Sequence, residues 1–99
     1  MLKDKRIIIT GAGSGIGKAT SLLAAKYGAK ITCVDLSESV EQTATQIRND
    51  GGSAIAIKAD ISAEESVIKF VDQAISEFGG IDGIYANAGV PGGGKPFTE

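Results

Sequence analysis

The sequence predicts an α/β fold: a parallel sheet of strand order 3-2-1-4 with helices on both faces. Two observations predict it. Strand-like and helix-like segments alternate as β-α-β-α-β-α-β along the chain. Glycines, 14 of 99 residues and about twice the ~7% base rate, mostly fall between those segments as punctuation.

Each element has its own local reason. Arg6 to Thr10 is a β-branched run that ends in glycines, as a buried parallel strand does. Ile16, Ala19, Thr20, Leu23, Ala24 and Tyr27 then recur at helical spacing, and Gly28 stops the helix. Those six residues are expected to form its inner face. Lys30 to Asp35 is the second strand. Ser37 or Ser39 is expected to cap the next helix, Ser39 with Gln42 having capping-box spacing. Val40, Ala44 and Ile47 mark the inner face of that helix, and Gly51-Gly52 ends it. Ser53 to Asp60 reads as the third strand. Ser62-Ala63-Glu64-Glu65 has the form of a second capping box. Val67, Phe70, Val71, Ala74 and Phe78 line one face of the third helix, which stops at Gly79-Gly80. Ile81 to Asn87 is the fourth strand, and the rest reads as loop.

Right-handed crossovers restrict how such units connect. In the order 3-2-1-4 the direction of winding reverses between strands one and four. A crevice opens there, and ligands of open α/β sheets bind in it, at the carboxyl ends of the strands. The residues at those ends are Thr10-Gly11, Asp35, Asp60 and Asn87.

Composition narrows the function. The chain is 42% hydrophobic and 22% charged, with a net charge of −2. No basic excess exists to neutralise a phosphate backbone, so nucleic acid is not an expected partner. The chain has no histidine, which removes the commonest general base and metal ligand. Its one cysteine, Cys33, sits in an apolar stretch and has no metal-site spacing. No metal site is expected. No signal peptide or membrane span is visible, and a cytoplasmic location is expected.

The loop Thr10-Gly11-Ala12-Gly13-Ser14-Gly15-Ile16-Gly17 carries the chemistry. Gly11 allows a sharp turn out of the strand. Gly15 leaves no Cβ between backbone and a pyrophosphate, and Gly17 lets the helix pack close to the sheet. The first helical turn aims its free N–H groups and positive dipole end at the anion. The spacing is G-x-x-x-G-x-G, not G-x-G-x-x-G, because Ile16 stands where the latter needs glycine. A nucleoside-triphosphate loop is the rival reading, through Gly17-Lys18. It requires a hydroxyl at position 19, where Ala19 stands. Thr20 is one residue late, about 100° round the helix.

Asp35 closes the second strand roughly 20 residues beyond the loop, where a carboxylate accepts hydrogen bonds from the ribose hydroxyls of NAD. It also repels the extra phosphate of NADP. One charge pair at ~4 Å is worth about 1 kcal/mol in water and about 4 at an effective dielectric of 20. No Arg or Lys at 36 or 37 offsets the repulsion, and Ser14 is neutral. NAD is therefore expected over NADP. The bland alternative for Asp35 is a cap before Ser37. Leu36 adjoins Asp35 and joins the candidate set. Asp60 could bond the adenine amino group with Ile61 against the ring, or serve only as a turn residue before the third helix. Asn87 either locks the strand end or touches cofactor.

Thr10-Gly11-x-x-x-Gly15-Ile16-Gly17, Asp60-Ile61 and Asn87-Ala88-Gly89 together resemble the short-chain dehydrogenase/reductase family, from about Lys5 onward. The resemblance implies a Rossmann-like sheet, here the truncated half of a doubly wound fold. It also implies an NAD(P)-dependent oxidoreductase acting on alcohols and ketones. The cofactor-binding residues so implied are Gly11, Ser14, Gly15, Ile16, Gly17, Asp35, Leu36, Asp60, Ile61, Asn87, Ala88 and Gly89. The family's N-N-A-G motif has Ala86 at its first Asn. Its catalytic Ser and Y-x-x-x-K are not met: Tyr27 is followed four residues later by Ile31, and Tyr85 by Gly89. Residues 1–99 are thus expected to form the amino-terminal dinucleotide-binding domain of a longer enzyme, inactive alone. The alternative is a stand-alone, non-catalytic dinucleotide-binding module. The outer edge of the fourth strand, with Ile81, Ile84 and Tyr85, is expected to favour self-association.

Overall fold

The structure is a computed structural model and describes residues 2–86. Its elements are β1 (Arg6–Thr10), α1 (Gly15–Lys26), β2 (Lys30–Asp35), α2 (Ser39–Asn49), β3 (Ser53–Lys58), α3 (Glu64–Phe78) and β4 (Gly83–Ala86). The described strands form one parallel sheet in the order β3-β2-β1-β4. Ile9 is flanked by Cys33 on β2 and Tyr85 on β4, so β1 is central.

Two cores lie on opposite faces of this sheet, as the alternating pattern requires. Ile9, Ile31, Cys33 and Ala54 meet Ala24 of α1 and Val40, Ala44 and Ile47 of α2. On the other face Ile8 and Val34 meet Phe70 and Ala74 of α3. The reason is handedness. The connections through α1 and α2 run one way across the sheet, and the connection through α3 runs back. Right-handed crossovers in opposite directions put their helices on opposite faces.

β1 and β2 occupy the expected spans. β3 ends at Lys58 instead of Asp60, because Asp60 enters a turn. Its carboxylate accepts the Ser62 N–H at 2.9 Å, and its carbonyl accepts the Ala63 N–H at 3.1 Å. β4 begins at Gly83, not Ile81, and Asn87 lies outside the described residues. Among the described residues the outer edge of β4 is unpaired.

The inner face of α1 differs from the periodic expectation. Its buried residues are Gly17, Ser21 and Ala24. Ile16, Leu23 and Tyr27 are 67%, 55% and 44% exposed. Small side chains at i, i+4 and i+7 let the helix approach the sheet closely, and that closeness outweighs burial of the larger residues. The Ser21 hydroxyl is satisfied within the helix, donating to the Gly17 carbonyl at 2.8 Å. Ala25 lies toward α2, beside Gly52. Ile16, Leu23 and Tyr27 therefore lie on the side of α1 turned away from Ala25.

Neither capping box forms. Glu38 and Ala63 are the N-caps of α2 and α3, without side-chain cap bonds. Ser39 is already helical, and its N–H donates to the Ser37 hydroxyl at 3.2 Å. The Ser62 hydroxyl donates to Asp60 at 2.6 Å, which draws the side chain into that turn, one residue before the Ala63 N-cap. Burial pushes the Cys33 thiol up to about 12, so it remains protonated as core filling.

A clamp joins the starts of β1 and β4. The Arg6 Nε donates to Asp82 Oδ2 at 2.8 Å and its Nη2 donates to Oδ1 at 3.1 Å. The Arg6 backbone N–H also donates to Oδ2 at 2.8 Å. The guanidinium, then this N–H, holds the Asp82 carboxyl well below the usual carboxylate range. A carboxyl depressed in the folded state stabilises the fold above its unfolded value of about 3.9. That contribution is lost as pH falls below this value toward the folded one. Acid unfolding followed by circular dichroism should therefore show a shallower loss of stability below about pH 4 for Asp82→Asn than for the parent.

Candidate functional site

The site lies at the carboxyl end of the sheet, where β1 turns into α1. Gly11 and Gly15 have φ of 69° and 59°, in the left-handed region that favours glycine. Between them Ala12 is fully buried. Its N–H donates to the Val34 carbonyl at 3.1 Å, and its carbonyl accepts the Thr43 hydroxyl at 2.9 Å. The loop is therefore tied to both β2 and α2 before any ligand arrives.

Ser14 is the N-cap of α1, in extended backbone, and its hydroxyl makes no cap bond. The first turn of α1 carries no acidic residue. Gly15 is exposed, and a Cβ built on it meets nothing within 4 Å. A helix N-terminus with positive dipole and open space before it suits an anion such as a pyrophosphate. Gly17 is buried against the sheet, as close helix packing requires.

Asp35 ends β2 and is half-buried. Its Oδ2 accepts the Gly13 N–H at 2.7 Å, and its Oδ1 accepts the Ser37 N–H at 3.2 Å. The local turn and the contact with the loop thus coexist on one carboxylate. Leu36 beside it is 64% exposed. Ile16 and Leu36 are the large apolar side chains left uncovered on this rim, where a ring or sugar face could cover them.

Asp60 stands past the end of β3. Both Ser62 groups donate to its carboxylate, the hydroxyl more strongly than the N–H, and together they hold it below the usual range. The turn role is therefore present. Ile61 is half-buried and packs on the core around Phe70, so only part of it faces outward. Asn87, Ala88 and Gly89 lie outside the described residues.

Three residues of this site escape a reading of the sequence. Gly13 supplies the N–H that meets Asp35. Thr43 anchors the loop from α2. Lys58 pairs with Asp35 across the β2–β3 ladder, so a cation does stand one strand from the Asp35 carboxylate. Its ammonium is turned to Glu38 at 3.4 Å, an exposed pair worth little in stability. Gly13 had a signal, being one glycine more than the turn needs. Thr43 and Lys58 had none, since only the sheet register and the seating of α2 bring them here.

Among the described residues no group of three or more His, Cys, Asp or Glu is placed to hold a metal ion. No helix among them is long and apolar enough to cross a membrane.

Known proteins are similar to this chain in sequence and fold. The chain is 39% identical over 98 residues to a 2,5-dichloro-2,5-cyclohexadiene-1,4-diol dehydrogenase of Sphingobium indicum, covering 99% of this chain and 38% of that protein. It is similar to the solved structure of a hydroxysteroid dehydrogenase from Escherichia coli, with a TM-score of 0.87 and 39% identity. That match covers 97% of this chain and 41% of the other. An NAD+-bound xylitol dehydrogenase gives a TM-score of 0.80 at 36% identity, covering 84% of this chain and 32% of its own. The chain spans less than half the length of each of these proteins. A sequence profile described as short chain dehydrogenase matches residues 5–99, and this agreement along nearly the whole chain establishes that it belongs to the short-chain dehydrogenase family.

Proposed function

We propose that this chain holds NAD for an oxidoreductase that interconverts an alcohol and a ketone. One observation carries the reading. The open N-terminal turn of α1, with unobstructed Gly15, lies beside an Asp35 carboxylate anchored to the same loop. When bound, the nicotinamide would supply the hydride chemistry. Gly15, Ile16 and Gly17 would present α1's free N–H groups to the pyrophosphate. Asp35 would accept from the adenosine ribose hydroxyls, and Leu36 would cover the apolar side of the same nucleoside. Asp60 and Ile61 would border the adenine, and Asn87, Ala88 and Gly89 complete the proposed cofactor-binding set.

Asp35 favours NAD, because a 2′-phosphate placed near it would be repelled. Lys58 argues weakly the other way, and its engagement with Glu38 limits how far it can offset that repulsion. Similarity to the NAD+-bound xylitol dehydrogenase supports a nicotinamide dinucleotide as the ligand class. Calorimetric titration of the chain with NAD, NADP and Mg-ATP tests the reading. The expected order is NAD tighter than NADP, with no heat from Mg-ATP. Binding of Mg-ATP in preference to both dinucleotides would overturn it.

A further inference from the structure

We propose that Gly13 is a positioning residue for cofactor choice, acting through Asp35. The inference rests on the reading that Asp35 receives the ribose. Two properties of Gly13 are involved. Its N–H donates to Asp35 Oδ2 at 2.7 Å, which aims the carboxylate along the loop. Its missing side chain leaves the room that the carboxylate occupies. A Cβ at position 13 would lie 2.7 Å from Asp35 Oδ2 and 3.2 Å from its Cγ, and would press on the Ser39 hydroxyl.

The atoms that must give way are the ends of two side chains, Asp35 and Ser39. Ser39 Oγ is paired with Ser37 Oγ at 3.0 Å, and the Ser37 N–H holds the other Asp35 oxygen at 3.2 Å. Gly13 and Ser37 thus hold the two Asp35 oxygens, and Ser39 closes the other side of the space at Gly13. Gly13 is not among the glycines with positive φ, so alanine is compatible with its backbone. The effect of a methyl group is therefore displacement of Asp35, not strain of the chain. A carboxylate offers about four acceptor sites. Two are taken by the Gly13 and Ser37 N–H groups, and the rest remain for ribose hydroxyls. Moving the carboxylate removes its fit to those hydroxyls and its repulsion of a 2′-phosphate together.

Gly13→Ala should lower NAD affinity about tenfold and leave NADP affinity within about twofold, so the preference for NAD collapses. Adding Ser39→Ala removes the hydroxyl nearest the new methyl and should recover part of the NAD affinity. Both are read by calorimetry, with thermal melts to check folding. An unchanged NAD-to-NADP ratio in folded Gly13→Ala overturns the proposal. A second measurement does not depend on that variant. The amide proton of Gly13, bonded to a carboxylate, should resonate downfield in the parent and move upfield in Asp35→Ala. A Gly13 amide indifferent to Asp35→Ala also overturns the proposal. If the parent binds no NAD, the functional reading fails and positioning for cofactor choice fails with it. The amide shift would then still report whether the Gly13–Asp35 bond exists.

Discussion

Replacing Asp35 by alanine is expected to weaken NAD binding about ten- to a hundredfold while leaving NADP binding unchanged or improved. A hydrogen bond to a charged group contributes about 1.5–3 kcal/mol. Loss of one or more such bonds to the ribose corresponds to that range, at about 1.4 kcal/mol per tenfold. NADP gains because the repelling Asp35 charge has gone, and Lys58, the β3 partner of Asp35, stays engaged with Glu38 at 3.4 Å and adds little. The variant is expected to fold, since Asp35 is half-buried and its bonds go to loop N–H groups. Calorimetry of both cofactors on parent and variant decides it. Equal loss for NAD and NADP would mean that Asp35 only shapes the loop.

The largest effect on stability should come from Ile31→Ala. Ile31 is fully buried in β2, between Ile7 on β1 and Ala54 on β3, in the core under α1 and α2. Truncating such a side chain costs about 2–5 kcal/mol, from lost transfer energy and the cavity left behind. Domains of this size have a total stability of roughly 5–15 kcal/mol. Urea unfolding should therefore show a midpoint far below that of the parent. Leu23→Ala is the control. By periodicity Leu23 belongs to the inner face of α1, yet it is 55% exposed, and its loss should change stability by about 0.5 kcal/mol or less. A large cost at Leu23 would mean that α1 is rotated from the placement described.

The contrast between these residues shows what periodicity reads and what it misses. Ile7, Ile8 and Ile9 announce a strand because β-branched residues in an unbroken run suit a sheet covered on both sides. Val40, Ala44 and Ile47 announce the face of α2 because there the large apolar groups are the ones buried. In α1 the rule inverts. Its close seat behind the glycine loop admits Gly17, Ser21 and Ala24, and periodicity weighted by hydrophobicity overlooks glycine and serine. The Ser37 hydroxyl does accept the N–H of Ser39, the first residue of α2, but the capping boxes do not form. Ser62 has the spacing of a capping box, but its side chain is drawn into the turn at Asp60 and the helix starts one residue later, at the Ala63 N-cap.

By itself the sequence determined the alternation of elements, the strand order, the turn glycines Gly11 and Gly15, and the carboxylate that ends β2. These follow from local rules: backbone sterics at glycine, the period of apolar residues, and the single hand of crossovers. Only the tertiary structure decided which face of α1 is buried, that Arg6 clamps Asp82, and that Lys58 neighbours Asp35. It alone decided that Gly13 holds Asp35. Those contacts join residues far apart in the chain. Their partners are selected by register and packing distance, and neither is encoded in any one segment.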